Sequence, residues 1–292
     1  MFVSMRTILD EAYREKYAVP ALPGFNEAMI RACIEAAVEA RSPVILLTHN
    51  GGDPIFTHDI ARYFGEKADV NVALCLDHSR SFEDGVMGIR TGVTDIMADR
   101  STLPYAENAA QVGELARIAH AAGVGIEGEL GHVGVGLNYA VDGVTALTEP
   151  EEAKRFFEET GVDALAVAVG TAHGVYAGTP KIDFERLRDI DAACGKPLVL
   201  HGGSGSGDEN ISKACTLGIA KVNIVTDVLT AAHQAALRND YEGNSIHRFF
   251  PALSQAIREA AMRAFELTGS AGRVKVAVRP VPDRNERSTK EV

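Results

Sequence analysis

Short apolar runs recur along the chain and alternate with longer segments of mixed polarity. Several runs, such as PVILLT and ALAVAVG, are almost continuously apolar, which is typical of strands covered on both faces of a parallel sheet. These runs predict eight strands, near residues 17–21, 43–48, 70–77, 92–97, 124–130, 163–169, 197–201 and 219–224.

The segments between the predicted strands carry apolar residues at helical spacing, and several end at a glycine that supplies a left-handed cap. They predict amphipathic helices over EAMIRACIEAAVEA, SFEDGVMGIR, ENAAQVGELARIAHAAG, PEEAKRFFEETG and DFERLRDIDAACG. Eight strands that each lead into a helix or loop favour a (β/α)8 TIM barrel, an α/β fold, over an open sheet. We therefore expect residues 1–292 to form a single TIM-barrel domain.

The C-terminal part of the chain is longer than a barrel requires. Residues 226–268 predict extra C-terminal helices with a break near Tyr241–Ser245, which could cover a barrel end or form a subunit contact. The polar tail 274–292 is expected to be poorly ordered. Two long connections, 131–148 and 170–182, follow predicted strands and would overhang the face where such barrels build their active sites.

Composition narrows the function classes. A formal net charge of -11 argues against a nucleic-acid surface, which needs a basic stripe. No stretch approaches the roughly 18–20 consecutive apolar residues of a membrane span, and the early acids argue against a signal peptide. The four cysteines lack C-x-x-C spacing and are interpreted as buried free thiols. These features indicate a cytoplasmic protein.

Three histidines stand at the ends of strand-like runs. His78 closes VNVALCLDH, His173 ends ALAVAVGTAH, and His201 closes PLVLH. Strand ends meet at the active-site face of a parallel barrel, and three imidazoles with one open position are typical of a catalytic zinc site. The pattern predicts one metal bound at the mouth of the barrel.

Acidic residues accompany these histidines. Asp77 precedes His78, so it could face substrate, or the two could form a buried hydrogen-bonded pair. Glu127 and Glu129 are two apart on the fifth predicted strand and therefore share a face. They could orient metal-bound imidazoles, Glu129 could itself be a ligand, or the pair could form an inner salt bridge.

The segment LHGGSGSG at 200–207 predicts a phosphate site directly after His201. Glycines let backbone N–H groups approach an anion closely, and a helix that begins near Asp208 would direct its positive end there. Asn223 and Thr226 follow the eighth strand, and loops after strands seven and eight are the usual phosphate site of this barrel. Metal and phosphate sites at one mouth imply a small phosphorylated substrate.

These motifs resemble the zinc-dependent class II ketose-bisphosphate aldolases, closest to their tagatose-bisphosphate aldolase branch. The resemblance covers residues 7–273 or so, through YAVPA, RSPVIL, LDHS, IEGELG, GTAHGVY, TPKIDFERL, LVLHGGSG, KVNIVTD and GSAGR. It implies reversible aldol cleavage of a ketose (bis)phosphate to dihydroxyacetone phosphate and an aldehyde, in a homodimer or homotetramer. It also implies a zinc ion that polarises the ketone and stabilises the enediolate.

The resemblance assigns roles to individual residues. His78, His173 and His201 would hold one zinc ion per chain, and Asp77 would be the acid/base on the aldehyde oxygen. The ketose phosphate, with a monovalent cation (Na⁺ or K⁺) beside it, would be held by Gly174, Gly202, Gly203, Ser204, Asn223 and Thr226. No Schiff-base lysine is needed, and Lys221 is expected to open the eighth strand at the end away from the site.

This chain departs from the family pattern at positions that we expect to face substrate. The acidic cluster that the family carries after ELG is replaced by GHVGVGLNYAVDG, in which His132 or Asp142 could move the proton instead. His49 stands where a serine or threonine commonly ends the second strand, and a neutral imidazole there could shuttle protons. The other departures are Pro23, Cys75 and Asp99-Arg100-Ser101.

These departures predict a substrate other than the usual fructose or tagatose bisphosphate. Two alternatives stay open. The same metal and proton shuttle would serve a sugar-phosphate epimerase or isomerase, and the chain could also be a non-catalytic subunit of an aldolase system.

Overall fold

Eight parallel strands form a closed sheet in the protein, as its computed structural model shows. The structure describes residues 1–49, 51, 53–134, 147–176, 178, 180–238, 241 and 243–274. Each strand pairs with the next one along the chain and the first pairs with the last, which confirms the predicted TIM barrel. The strands are β1 Val19–Pro23, β2 Val44–Thr48, β3 Val72–Ser79, β4 Asp95–Ala98, β5 Gly125–Leu130, β6 Ala164–Val167, β7 Leu198–Leu200 and β8 Ile219–Asn223.

Helices separate the strands, and one more helix precedes β1. They are α1 Met5–Glu15, α2 Glu27–Ala40, α3 Pro54–Lys67, α4 Phe82–Thr91, α5 Tyr105–Ala121, α6 Pro150–Thr160, α7 Phe184–Cys194, α8 Asp208–Cys215, α9 Thr226–Arg238 and α10 Phe249–Thr268. A 3₁₀ helix, Gly243–Arg248, precedes α10, so the predicted break and the predicted extra C-terminal helices are confirmed. The tail predicted to be poorly ordered is 274–292. The Val274 amide donates to the Arg41 carbonyl at 2.9 Å, and residues 275–292 lie outside the described part of the chain.

Strands β1 and β4 begin later than the apolar pattern predicts, because a left-handed residue ends the helix before each of them. Gly92, with a φ of 93°, caps α4, so β4 starts at Asp95 rather than at residue 92. Lys16, with a φ of 57°, caps α1 in the same way, so β1 starts at Val19. The apolar residues between cap and strand belong to the turns.

Apolar side chains of the barrel form two layers. The layer between sheet and helices includes Leu46, Leu74 and Phe156. The layer inside the barrel includes Ala21, Ala73 and Met97. Four residues of α1 belong to this inner cluster, namely Met5, Ile8, Leu9 and Ala12.

Helix α1 therefore closes the N-terminal end of the barrel. Asp95, the first residue of β4, fixes it there: its carboxylate accepts hydrogen bonds from the Met5 amide at 2.7 Å and the Ser4 hydroxyl at 2.9 Å. Apart from this hydrogen-bonded carboxylate, the side chains that α1 contributes to the inner cluster are apolar.

The C-terminal helix α10 lies along the outside of the barrel rather than over an end. It packs against α2, α9 and β1, and Ile257, Ala261, Ala264 and Phe265 are buried there. Among the described residues, no helix is both long enough and apolar enough to cross a membrane.

We predict that Asp95 makes stability depend on pH. Burial raises the pKa of Asp95 to about 6. An acid whose folded pKa exceeds its unfolded pKa stabilises the fold while protonated, and this contribution is lost as pH rises through the folded value. Between pH 4 and pH 7, the free energy of unfolding of wild type should therefore fall by roughly 1–3 kcal/mol relative to that of Asp95→Asn.

Urea unfolding of both proteins at several pH values measures this difference. The variant Asp10→Asn, at an exposed position of α1, is the control and should follow wild type. A difference between wild type and Asp95→Asn that stays constant with pH would contradict the prediction.

Candidate active site and metal centre

The barrel brings its three strand-end histidines together. His78 is the penultimate residue of β3, His201 directly follows β7, and His173 lies in the loop after β6. The ring centroids are 4.8 Å apart for His78 and His173, 4.9 Å for His78 and His201, and 5.4 Å for His173 and His201. One nitrogen of each ring lies within 4.8 Å of the others, which is close enough to share one ion.

The outer nitrogen of each ring is already engaged by an acceptor. The contacts are His78 Nδ1 to Asp99 Oδ2 at 2.9 Å, His173 Nδ1 to the Val133 carbonyl at 3.1 Å, and His201 Nε2 to Glu127 Oε1 at 2.9 Å. Among the described residues, His173 Nε2 and His201 Nδ1 are buried with no hydrogen-bond partner. Metal-bound histidines have this pattern, since the outer contact fixes the tautomer and leaves the other lone pair for the ion. The donor set therefore fits a divalent metal.

Local backbone strain accompanies His78. Its φ of 46° is left-handed, which is uncommon for a residue other than glycine, and the pairing of β3 with β4 shifts between Leu76 and Ser79. Such strain concentrates at functional sites. His78 bonds to Asp99 and not to Asp77, whose Oδ1 accepts instead from Asn223 Nδ2 at 3.3 Å. The alternative of an Asp77–His78 hydrogen-bonded pair is wrong.

Burial and local charge shift the pKa values of these groups in opposite directions. Burial lowers the pKa of His173, and it lowers that of His201 well below the usual value. Burial acts the same way on His78, but the Asp99 hydrogen bond and nearby acids raise its pKa to about 9. Asp99 is the reciprocal case: burial opposes ionisation, yet bonds from His78 and Ser101 hold its pKa well below its usual range.

Glu129 lies beside the same cluster and offers an alternative ligand. Its Oε2 is 3.5 Å from His201 Nδ1 and 4.0 Å from His78 Nδ1, and it has no hydrogen-bond partner among the described residues. Burial raises the pKa of Glu129 to about 8. A second group that could hold an ion combines Glu129 with His78 and Asp99.

Lys221 corrects one expectation drawn from the sequence. It is buried in the middle of β8 rather than at an opening turn, and its Nζ lies 2.7 Å from Glu127 Oε2. Glu127 thus bonds His201 through one oxygen and Lys221 through the other. The inner salt bridge considered for the glutamate pair is present for Glu127.

The predicted phosphate segment is in close contact with the loop after β6 and with strand β8. Gly202 has a φ of 65°, and a Cβ there would lie 2.1 Å from the Ala172 carbonyl oxygen of the loop after β6. At Gly203 it would lie 2.5 Å from Val222 Cγ1 of β8. These approaches exclude larger residues at both glycines, and the Gly203 amide donates to the Asn223 carbonyl of β8 at 3.1 Å.

Two helices begin near this segment, and both carry acidic side chains in the first turn, whose charges oppose an anion. Helix α8 begins at Asp208 as predicted, with Asp208 and Glu209 in its first turn. Helix α9 begins at Thr226 with one acid, Asp227, whose amide donates a hydrogen bond to the Ser204 hydroxyl. Gly174 directly follows His173.

The family model for class II fructose-bisphosphate aldolases matches residues 3–273. The chain belongs to this family. Its members break or form carbon–carbon bonds, so the protein is an aldolase of the lyase class.

Solved structures agree with this assignment. The YdjI aldolase of Escherichia coli K12 is 32% identical, with a TM-score of 0.85 over 94% of this chain and 100% of that one. The fructose-bisphosphate aldolase of Campylobacter jejuni is 24% identical, with a TM-score of 0.73 over 92% and 96% of the two chains. This second likeness supports the fold alone.

Two further histidines of the aldolase lie after strands at the same barrel end. His49 follows β2, its Nδ1 accepts from the Gly51 amide at 2.8 Å, and its ring contacts Phe25 at a centroid distance of 4.9 Å. Its neutral form therefore carries the proton on Nε2. His132 Nδ1 lies 3.1 Å from Ser101 Oγ, which in turn donates to Asp99 at 2.8 Å. Asp142, the other proposed proton carrier, lies outside the described residues.

Arg100 of the aldolase does not occupy the substrate-facing position expected from the sequence. It is 4% exposed, and its guanidinium donates to the carbonyls of Ser79 and Asp99 and to Gln111 Oε1. Arg100 thus holds the ends of β3 and β4 in place, and with them the partner of His78.

We predict that Lys221 and Glu127 stabilise the fold only as a pair. Lys221→Met should lower the free energy of unfolding by roughly 3–5 kcal/mol, because it leaves the Glu127 carboxylate buried without its cation. The double variant Lys221→Met/Glu127→Gln removes both charges and should recover most of that loss. Urea unfolding measures both effects, and a double variant no more stable than Lys221→Met would contradict the coupling.

Proposed function

We propose that this aldolase uses zinc and cleaves a ketose phosphate or bisphosphate reversibly to dihydroxyacetone phosphate and an aldehyde. The observation that carries the proposal is the set of three imidazoles whose free nitrogens face one another beside the glycine segment Gly202–Gly203. His78, His173 and His201 would hold the ion, with Glu129 as an alternative ligand. An ion bound there supplies Lewis-acid polarisation of the ketose carbonyl.

Asp77 is proposed to move the proton at the oxygen where the bond breaks. In cleavage its carboxylate takes the proton of the hydroxyl on the carbon that becomes the aldehyde, and in synthesis it returns that proton. Asn223 donates to Asp77 Oδ1 at 3.3 Å, and the transfer is assigned to Asp77 Oδ2.

The state of Lys221 supports a mechanism without a covalent Schiff base. Burial alone would lower its pKa, but the charge of Glu127 raises the pKa of Lys221 and keeps the ammonium protonated. A lysine must be unprotonated to attack a carbonyl. Lys221 instead holds Glu127, which orients His201.

Cleavage leaves negative charge on the carbon next to the carbonyl, and a proton must be placed there. We assign this transfer to His132, which stands in the loop where the family carries acidic residues. Its link through Ser101 to Asp99 supports the assignment, since it fixes the ring beside the partner of His78. His49 is assigned to the aldehyde part of the substrate, where its Nε2–H can donate to a hydroxyl.

The phosphate of the ketose is proposed to bind Gly174, Gly202, Gly203, Ser204, Asn223 and Thr226. The family resemblance also predicts a monovalent cation beside this phosphate. It predicts a homodimeric or homotetrameric assembly as well. The aldehyde is proposed to differ from the usual one, because the imidazole of His49, whose ring contacts Phe25, replaces the small hydroxyl side chain common in the family.

Asp77→Asn tests the assigned acid/base. We predict that cleavage slows about 10²–10⁴-fold, while zinc affinity stays unchanged and dihydroxyacetone phosphate still exchanges a proton with D₂O. Coupled spectrophotometry follows cleavage and NMR follows exchange. Cleavage at the wild-type rate would exclude Asp77 as the acid/base. Wild-type exchange without cleavage of any ketose phosphate would favour the epimerase or isomerase.

His49→Ser tests the altered specificity. Zinc-loaded wild type should cleave fructose 1,6-bisphosphate poorly, and the variant should raise kcat/KM for that substrate by about 10–100-fold, since the smaller side chain restores the common residue. Wild-type cleavage of fructose 1,6-bisphosphate at an ordinary enzyme rate would overturn this part of the proposal and leave the metal site intact.

A further inference from the structure

The hydroxyl of Tyr176 joins the two loops that carry His173 and His201. It accepts a hydrogen bond from the Ala172 amide at 2.7 Å and donates one to the Gly202 carbonyl at 2.8 Å. Ala172 directly precedes His173, and Gly202 directly follows His201. One phenol oxygen therefore bonds the backbone immediately beside two of the three proposed metal ligands.

The aromatic ring of Tyr176 also lies against the glycine segment. A Cβ at Gly205 would lie 3.3 Å from Tyr176 Cδ2, so the ring packs directly on this backbone. The two loops are in contact beneath the hydroxyl, since a Cβ at Gly202 would lie 2.1 Å from the Ala172 carbonyl oxygen. Small changes in their separation therefore alter both the ligand spacing and the anion-binding segment.

The loop of His173 is tethered on its other side as well. The His173 amide donates to the Gly134 carbonyl at 2.7 Å, and its Nδ1 contacts the Val133 carbonyl at 3.1 Å. These contacts fix His173 relative to the loop after β5. The Tyr176 hydroxyl fixes it relative to the loop after β7, where His201 lies.

We propose that Tyr176 is a positioning residue that sets the separation of His173 and His201 and the shape of the segment Gly202–Gly205. Its hydroxyl acts through the backbone of the two loops, to which it is hydrogen-bonded. This inference rests on the proposed zinc-dependent function. It assigns to Tyr176 the role of keeping two of the proposed zinc ligands at the correct separation.

Tyr176→Phe removes the hydroxyl and keeps the ring against Gly205, so the variant is expected to fold. The matched control is Tyr13→Phe in α1, which also loses one hydroxyl hydrogen bond, to Asp191 at 2.7 Å, but at the closed end of the barrel. Zinc affinity is measured by competition with a chromogenic chelator. It should fall about 10–100-fold in Tyr176→Phe, as for other groups that orient ligands, and stay unchanged in Tyr13→Phe.

Two further measurements separate positioning from a loss of stability. At saturating zinc, KM for the ketose phosphate should rise several-fold in Tyr176→Phe while kcat changes much less, because the anion-binding segment is displaced but Asp77 is not. In the metal-free protein, deuterium exchange of a peptide that contains Ala172 should be faster than in wild type, since its amide has lost its acceptor.

Failure of this inference and failure of the proposed function are distinguishable. Wild type that binds no zinc would overturn the proposed function and the inference together. Wild type that binds zinc, with Tyr176→Phe equal to it in affinity, KM and exchange, would overturn the inference alone. A loss of melting temperature in Tyr176→Phe without any loss of zinc affinity would show a purely structural role and would also overturn it.

Discussion

Closure of the parallel barrel is the constraint on which the candidate site depends. All eight strands are parallel, so they end at the same side of the sheet. Because β1 pairs with both β2 and β8, these ends form one closed rim, and residues far apart in sequence meet there. His78, His173 and His201 come from three different strand ends and approach within reach of one ion for this reason. Helix α1 fills the opposite end with apolar side chains and bonds Asp95 there, so the candidate ligands gather at the rim.

The buried charged side chains near this rim are stabilised by the hydrogen bonds and ion pairs that they form with one another. Glu127 is neutralised by Lys221 and bonds His201, while Asp99 bonds His78. A buried carboxylate without such partners costs several kcal/mol, and Glu129 has an oxygen without one among the described residues. The Glu129 oxygen and the free imidazole nitrogens lie beside the position that we propose for the metal ion. The contacts of Glu127 and Asp99 orient the candidate ligands around that position.

Much of this arrangement could be predicted from sequence, because it follows local rules. The apolar runs indicated eight strands, the histidines stood at their ends, and the spacing of Glu127 and Glu129 placed both on one face. The contacts that the sequence did not predict join residues that are close in space but far apart along the chain. Asp99 bonds His78 because β4 lies beside β3, and its position directly after a strand was the only signal. Lys221 faces Glu127 across the barrel, and the hydroxyl of Tyr176 bridges two loops; neither contact leaves a pattern within its own segment. The expectation that Arg100 faces substrate is wrong for the same reason. Its acceptors include the backbone carbonyls of Ser79 and Asp99, which leave no pattern in the sequence.

The most direct test of the central claim is a crystal of the protein grown with zinc and measured at the zinc absorption edge. An anomalous difference map should show one peak per chain, enclosed by the rings of His78, His173 and His201, and the peak should disappear in His201→Ala. Zinc bound elsewhere, or no peak in wild type at a saturating concentration, would contradict the account of this barrel rim as a metal centre.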